Sequence, residues 1–465
     1  MVRLFRQYIS PREIVFIAGE GILIFIAIAL ASFSFLGRET GMIKMLEITW
    51  PKVLLVSITT QLSLYFNDLY EFKITDSAID LATRLLKSIG ITSVALAIFY
   101  FLWPCLIIGR WIFFASIIVL IFFMVSWRFL YSFVIRRKLF AEKAVILGDG
   151  ELAEAISHEI KKRKDISYNV SSVVAYEKKQ TNQDSFSGMS IYYGFDHLCN
   201  LARDENVKSV IVALDERRGI LPYKELLDCK VRGINIIDGE SFYERITGKL
   251  LVEKINPSWL IFSDGFVKSR TSRVFKRLFG LFLSTFMLII FSPLMLLVAL
   301  IIKLDSRGPV IFSQERIGEY GKTFTLYKFR SMREDAEKET GPVWATEEDP
   351  RVTGIGKIIR KLRIDELPQL WNVFKGDMSF VGPRPERPFF VEKLKKTVPY
   401  YKERLCVKPG VTGWAQIKYP YGASEKDALE KLKYELYYIK NMSFLMDLLV
   451  IFHTTKIVLL GRGSR

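Results

Sequence analysis

The sequence predicts a membrane protein of mixed α/β class, built in three parts. Three observations carry this reading. Half of the 465 residues are apolar, and they gather in blocks long enough to enter a bilayer. An alternation of short apolar strands and amphipathic helices begins after residue 140. A second long apolar block, interrupted by proline, precedes a dense run of short charged motifs. The parts are a four-helix transmembrane domain (1–138), a Rossmann-like α/β domain (139–255) and a mainly helical α/β domain (270–465) that opens with a re-entrant membrane helix (274–304).

Composition narrows the function classes. Lys+Arg number 66 and Asp+Glu 49, a formal net charge of +17. The apolar fraction excludes a disordered chain. Much of the positive charge flanks the apolar blocks and forms no single basic stripe, so no nucleic-acid partner is expected. The four cysteines (Cys105, Cys199, Cys229, Cys406) are widely spaced with no C-x-x-C, so neither a disulfide framework nor a structural zinc site is expected, and the soluble parts read as reduced. The three histidines (His158, His197, His453) never cluster, which disfavours a histidine metal site or a Ser-His-Asp triad.

Ile14–Leu36 is long enough, at about 1.5 Å per residue, to cross roughly 30 Å of hydrocarbon. No small-residue cleavage site follows it, so it reads as a span and not a signal peptide. Pro51–Phe66 is a weaker candidate, thinned by Thr59, Thr60, Gln61 and Ser63. Ile89–Ile108 and Trp111–Ile135 complete the set, and Arg128 inside the last run either snorkels or faces another helix. Arg3, Arg6 and Arg12, then Lys73, Arg84 and Lys87, then Arg136, Arg137 and Lys138 occupy alternate flanks. The positive-inside rule therefore puts the N-terminus and everything after residue 136 in the cytosol.

In the middle domain, Lys143–Leu147, Val207–Leu214 and Ile234–Asp238 read as strands of a parallel sheet. Gly148, Gly150 and Ala153 form a G-x-G-x-x-A pattern after the first strand, followed by a helix over Glu151–Lys164. Such a pattern serves dinucleotides, but no acidic residue closes a strand about 20 residues on. Tight strand-to-helix geometry explains the glycines better.

Basic residues flank both sides of Val274–Leu304: Arg273, Lys276 and Arg277 before, Lys303 and Arg307 after. A single span would break the charge rule. Ser292-Pro293 lies near its middle, where proline removes a backbone donor and the serine hydroxyl can serve a freed carbonyl. Each leg from that point covers roughly 16–22 Å, too short to cross. A re-entrant hairpin is expected.

The chemistry-bearing motifs follow: Gly308–Phe312, Gln314–Gly318, Lys328-Phe329-Arg330, Asp349–Thr353, Arg360–Arg363, Asp365–Leu370, Gly382–Glu386 and Pro409–Trp414. Pro368 is expected at the first helical position, ahead of Leu370, Trp371, Val373 and Phe374. Asp365 and Glu366 then lie at a helix N-terminus, which suits phosphate. Two acids among fixed cations fit phosphoryl transfer: arginines neutralise a diphosphate, a carboxylate holds Mg²⁺ and a carboxylate attacks phosphorus. Asp365 taken alone is equally an ordinary N-cap paired with arginines. Phe444–Leu460 reads as an interfacial amphipathic helix.

Together these motifs resemble the bacterial sugar transferases, the polyprenyl-phosphate hexose-1-phosphate transferases, over roughly Arg270–Arg465. The four-span, α/β and re-entrant layout is similar to their large members. The resemblance implies transfer of sugar-1-phosphate from a UDP-sugar to polyprenyl (undecaprenyl) phosphate, through an aspartyl phospho-sugar, to prime exopolysaccharide or O-antigen synthesis at the bacterial inner membrane, among its lipids. It implies Asp365 as nucleophile within the Asp365-Glu366 dyad, with Mg²⁺ at these acids. It implies Lys328, Arg330, Arg360 and Arg384 as phosphate-binding residues, and Ser292-Pro293 as the helix break. One departure is Arg360-Lys361-Leu362-Arg363-Ile364 where many members read Arg-Lys-Thr-Ser-Leu. Two other classes compete: a membrane-anchored NAD-dependent nucleotide-sugar dehydratase or epimerase, which lacks a well-placed Tyr-x-x-x-Lys, and a non-catalytic polysaccharide-export scaffold. The sugar is not legible, and a homodimer through the middle domain stays open.

Overall fold

The computed structural model describes every residue except 1, 5, 6, 10, 41, 71–77, 137–140, 164–167, 178–183, 197, 218, 256, 264, 334–349, 420, 421, 423 and 461–465. Arg6, Lys73, Arg137, Lys138, His197 and Asp349 therefore lie outside the described residues. The chain forms two compact units, one of residues 8–239 with 1–2, the other of residues 240–465 with 3–7.

The first unit begins with four helices: α1 (Pro11–Thr40), α2 (Met42–Phe66), α3 (Ala78–Leu102) and α4 (Arg110–Arg136). Three of them, over 14–35, 79–102 and 111–134, are long and apolar enough to cross a membrane. α2 is a full-length helix but is not among those candidates; its polar residues bond within the helix, as Thr60 does to the Val56 carbonyl at 2.7 Å, and to neighbouring helices, as Gln61 does to the Ile17 carbonyl and Ser63 to that of Ser88, both at 2.8 Å. α3 starts earlier than expected and ends at Leu102, because Pro104 biases Trp103 out of the helical region. Arg128 faces another helix: its Nη2 lies 2.8 Å from Glu20 Oε1, both side chains buried. Gly19 and Gly21 leave the room that Trp127 and Gln61 take beside α1.

The strands are β1 (Glu142–Leu147), β2 (Tyr168–Ala175), β3 (Ser190–Tyr193), β4 (Ser209–Val212) and β5 (Asn235–Asp238). They make one parallel sheet in the order β3-β2-β1-β4-β5. Val145, Ile146 and Leu147 on the central strand are wholly buried, as a parallel sheet covered on both faces requires. The crossover helices are α5 (Glu151–Lys162), α6 (Leu198–Asp204) and α7 (Tyr223–Val231). The sequence did not single out β2, because Asn169, Ser171 and Ser172 interrupt its apolar run. Both serine hydroxyls donate to Glu205 Oε2, at 2.5 Å each, which satisfies them in place. α6 and α7 bring Cys199 and Cys229 side by side, with Cα atoms 5.4 Å apart, within disulfide reach, a pairing that their spacing along the chain does not suggest.

The middle domain ends sooner than its expected limit at residue 255. α8 (Gly239–Thr247) follows β5 without a linker, yet its Glu244 is buried against Lys440 Nζ at 2.7 Å and Asn441. Leu250, Val252 and Ile255 belong to the second unit's core. After α9 (Pro257–Phe262) comes α10 (Arg270–Asp305), 36 residues and so about 54 Å long. It is the fourth helix with span-like length and composition. No loop interrupts the segment at Ser292-Pro293, where a re-entrant hairpin was expected: the helix continues there, and a re-entrant course takes the form of a bend within it. The physical reason is local: Pro293 cannot donate to the Ile289 carbonyl, and the Ser292 hydroxyl does so instead at 2.8 Å. Both flanks of α10 rest on the same domain. Lys276 Nζ donates to the Val381 carbonyl and Arg277 to those of Val373 and Phe374. At the other end, Val298 and Ile302 pack with Phe329 and Ile359.

That domain pairs β6 (Ile311–Ile317) antiparallel with β7 (Thr323–Phe329). Next come α11 (Gly354–Lys361) and α12 (Gln369–Lys375), then β8 (Ser379–Val381), α13 (Pro388–Thr397), β9 (Gly410–Thr412), α14 (Trp414–Lys418), α15 (Glu425–Asn441) and α16 (Phe444–Leu459). Its core includes Leu370, Val373, Val391, Leu432, Leu436 and Val450.

The Glu20–Arg128 pair gives a clear test. Glu20→Leu alone strands a buried guanidinium and costs roughly 3–5 kcal/mol, whereas the Glu20→Leu/Arg128→Leu double variant costs less than either single change. Thermal unfolding of the detergent-solubilised protein measures both.

Candidate active site

Asp365 and Glu366 sit on a short 3₁₀ turn, Ile364–Glu366, between α11 and α12. Arg363 enters the turn in the left-handed region (φ 54°), which lets the chain reverse from α11 and aim both acids inward. Pro368 caps α12 from just outside it, so the dyad lies a turn ahead of the helix and not in its first residues. Asn372 of α12 accepts from the Tyr327 N–H at 3.1 Å and donates to the Thr325 carbonyl at 2.7 Å. These two bonds fix α12 to β7 and so register Lys328 against the dyad. Ile364 and Leu367, on either side of the acids, pack against a buried cluster of Val298, Ile302, Phe329 and Ile359 that Leu294 and Met295 of α10 also cover.

Four of the expected side chains converge. Lys328 Nζ lies 3.0 Å from Glu366 Oε1 and 3.9 Å from Asp365 Oδ2. Arg384 Nη2 lies 3.1 Å from Glu366 Oε1. Arg360, on α11, acts on Asp365 through its field. Arg330 is elsewhere: its guanidinium donates to the carbonyls of Arg307 (2.7 Å) and Ser306 (2.8 Å) and to the Ser306 hydroxyl, holding the end of α10. That is the place of a cation at a helix C-terminus. Ser292 and Pro293 lie within α10, remote in sequence from the dyad and not among its contacts. The sequence did not single out Asn372; Arg363, one of the cations it places beside the acids, has its Nη1 3.8 Å from Glu366 Oε2.

The two acids are electrostatically unequal. Asp365 is 7% exposed. Burial pushes its carboxyl above the ordinary carboxylate range, with the Glu366 charge adding to this and Lys328, Arg360 and Arg384 opposing it. Burial acts likewise on Glu366, but Lys328, Arg384 and Arg363 overcome it and hold that carboxyl well below the ordinary range. The cations thus serve Glu366 first, and Asp365 keeps the more basic oxygens.

Among the described residues, no three His, Cys, Asp or Glu side chains gather as a metal-binding group. Magnesium needs only one or two carboxylates when phosphate oxygens complete its shell. Asp365 and Glu366 supply that number, so the donor set fits an ion that arrives with a phosphate ligand.

The glycine turn of the first unit is closed to phosphate. It lies where the sheet order reverses, between β1 and β4, the usual place for a nucleotide. The Asp215 carboxylate already accepts from the Glu151 and Leu152 N–H groups at 2.9 and 3.2 Å. A side chain at Gly150 would strike Asp215, and one at Gly148, whose φ is 120°, would strike the Ala213 carbonyl. The tight-turn explanation of these glycines agrees with that geometry.

The family model described as bacterial sugar transferase matches residues 271–461, and one described as CoA-binding domain matches residues 65–220. The chain is 40% identical, over 52% of its length, to UDP-N-acetylgalactosamine-undecaprenyl-phosphate N-acetylgalactosaminephosphotransferase of Aeromonas hydrophila. It is 32% identical, over 76% of its length, to undecaprenyl-phosphate glucose phosphotransferase of Komagataeibacter xylinus. It covers 56% and 66% of those two relatives. It is also 43% identical, over 40% of its length, to exopolysaccharide production protein PSS of Rhizobium leguminosarum bv. phaseoli, of which it covers 93%.

The raised Asp365 carboxyl sets a sign for stability. A group whose pKa is higher folded than unfolded stabilises fully below its unfolded value, and that stability is lost as pH rises through the folded value. Asp365→Asn therefore raises the melting temperature at neutral pH in metal-free buffer and loses this advantage in acid, read by thermal unfolding across the pH range.

Proposed function

The chain belongs to the bacterial sugar transferase family, and from that premise we propose that it transfers sugar-1-phosphate from a UDP-sugar to undecaprenyl phosphate through an aspartyl phospho-sugar, priming a polysaccharide. The single observation that carries the two-step form is the unequal dyad. Glu366 engages Lys328 and Arg384 at about hydrogen-bond distance, while Asp365 makes, among the described residues, the longer 3.9 Å ion pair with Lys328.

The steps balance without an oxidant or reductant. Ionised Asp365 attacks the sugar-bearing phosphorus; the bond from that phosphorus to the bridging oxygen breaks, and UMP departs. An oxygen of the undecaprenyl phosphate then attacks the same phosphorus. The Asp365 oxygen–phosphorus bond breaks, which releases undecaprenyl-diphosphate-sugar and restores the carboxylate. Before substrate binds, Glu366 keeps Lys328 and Arg384 in position; an arriving diphosphate recruits those cations. Arg360 adds positive potential at the transferring group. Asp365 and Glu366 would then hold Mg²⁺, which supplies charge neutralisation at the phosphoryl oxygens. Arg330 serves the reaction by fixing the end of α10.

In this reading α10 is re-entrant and keeps the dyad at headgroup depth in the inner membrane, facing the cytosol. The support is that both flanks of α10 contact one domain, while Phe282, Phe286, Ile289, Leu296 and Leu300 are exposed apolar residues between them. A crossing helix would part its flanks by roughly 30 Å of hydrocarbon. The middle domain is a Rossmann-like fold without a dinucleotide. The competing NAD-dependent reading is disfavoured by Asp215, which takes the N–H groups a pyrophosphate would need.

The enzymatic test is UMP release by purified protein given Mg²⁺, a UDP-sugar and undecaprenyl phosphate. Asp365→Asn lowers the rate on the order of 10⁴-fold or more; near-normal release by that variant sinks the reading. The topological test places single cysteines at Arg270 and Asp305. Both are labelled from the cytosolic side only, and labelling of the second from the outer side contradicts re-entry.

A further inference from the structure

The loop Gly382–Glu386 that carries Arg384 is anchored by its carbonyls. Gly382 donates its N–H to the Thr412 carbonyl at 2.9 Å, but Pro383 and Pro385 have no N–H to give, so the backbone ladder does not continue along the loop from the donor side. Instead the Val381 carbonyl accepts from Lys276 Nζ at 2.9 Å, that of Pro383 from the Gly410 N–H at 2.9 Å, that of Pro385 from Arg316 Nη1 at 3.1 Å and that of Glu386 from the Ile317 N–H at 3.0 Å. The carbonyl of Arg384 itself accepts from Arg404 Nη2 at 2.7 Å.

Arg404 lies on the 3₁₀ segment Tyr401–Cys406 and is buried. Its Nε and Nη2 form a fork on Glu435 of α15, at 2.7 and 2.8 Å. Its Nη1 donates to the Tyr401 hydroxyl at 3.1 Å. The second Nη2 hydrogen is what reaches Arg384. Only a planar guanidinium can fork on a carboxylate and still reach a third acceptor in this way; a lysine ammonium has three donors but no fixed plane. Burying such a pair is costly, and apolar residues of equal volume often stabilise as well. What they lack is a donor for the Arg384 carbonyl.

We propose that Arg404, oriented by Glu435, is a positioning residue for the sugar-phosphate transfer: it fixes the main chain at Arg384 so that the Arg384 guanidinium meets Glu366 and the donor's diphosphate. This rests on the transferase reading above. Arg404 touches no reacting atom. It links α15, through one hydrogen bond, to the cation that the dyad uses.

The test is a double-mutant cycle on the full-length enzyme with Arg384→Lys and Arg404→Lys. Arg404→Lys raises KM for the UDP-sugar about tenfold or more and leaves KM for undecaprenyl phosphate within about twofold. In the Arg384→Lys background the same change costs less than about threefold, because the side chain it positions is already gone. Equal losses in both backgrounds, or a parallel rise in both KM values, overturns the proposal. Should Arg404→Lys unfold early in a thermal scan, Glu435→Gln, which keeps the arginine and loosens its fork, is read by the same criteria. Calorimetric binding of inorganic pyrophosphate needs no turnover and separates the two levels of the argument. Weakening by Arg404→Lys that matches the weakening by Arg384→Lys supports the positioning role even where the wild type releases no UMP, an outcome that would remove the transferase reading alone. Unchanged pyrophosphate binding in Arg404→Lys, beside weakened binding in Arg384→Lys, overturns the positioning role.

Discussion

Two adjacent carboxylates share one set of cations, and the sharing is unequal. Lys328 and Arg384 are spent on Glu366 Oε1, so the buried Asp365 carries the cost of its own desolvation. A carboxylate held low by ion pairs is a poor nucleophile, and one raised by burial is a better one. The division follows from backbone geometry. On a 3₁₀ turn successive side chains point in different directions, and the left-handed Arg363 sets which of them meets β7.

The position of the dyad depends on α10 as much as on the turn. Leu294 and Met295, just after Pro293, and Ile364 and Leu367, beside the acids, pack against one buried cluster that includes Val298 and Ile302 of α10. Arg330 then ties off the end of that helix through the Ser306 and Arg307 carbonyls. A helix that carries an apolar exposed face and grips one domain at both flanks couples the depth of the apolar segment to the position of the carboxylates. In the proposed reaction this coupling matters, because a lipid-linked phosphate stays at the headgroup level.

The candidate site was legible where motif chemistry and tertiary placement agree. Asp365, Glu366 and Arg384 follow from residue type and spacing and Lys328 from the family resemblance, and the fold brings the four within ion-pair reach. Arg330 shows where that logic ends: two residues after Lys328 in the same motif, it serves carbonyls at a helix end, and nothing in a linear pattern separates a phosphate ligand from a helix clasp. Asn372 and Arg404 gave no signal because the partners that give them their roles, the Tyr327 N–H and Thr325 carbonyl for one and the Arg384 carbonyl and Glu435 carboxylate for the other, lie far away in sequence. In the fold, periodicity located the apolar helices and the strands β1, β4 and β5. It passed over β2, whose serines are satisfied by Glu205, and it expected a broken helix where Ser292 repairs the bond that Pro293 lacks. The Cys199–Cys229 pair and the Asp215 cap arise from tertiary neighbours, which spacing along the chain does not encode.

The central claim is that the more basic member of the dyad forms the temporary bond to phosphorus. Peptide mass spectrometry tests it most directly, on enzyme quenched after exposure to UDP-sugar with the lipid acceptor withheld. The account predicts a sugar-phosphate adduct on Asp365 that disappears when undecaprenyl phosphate is added before the quench. An adduct on Glu366 or on any other side chain would contradict it.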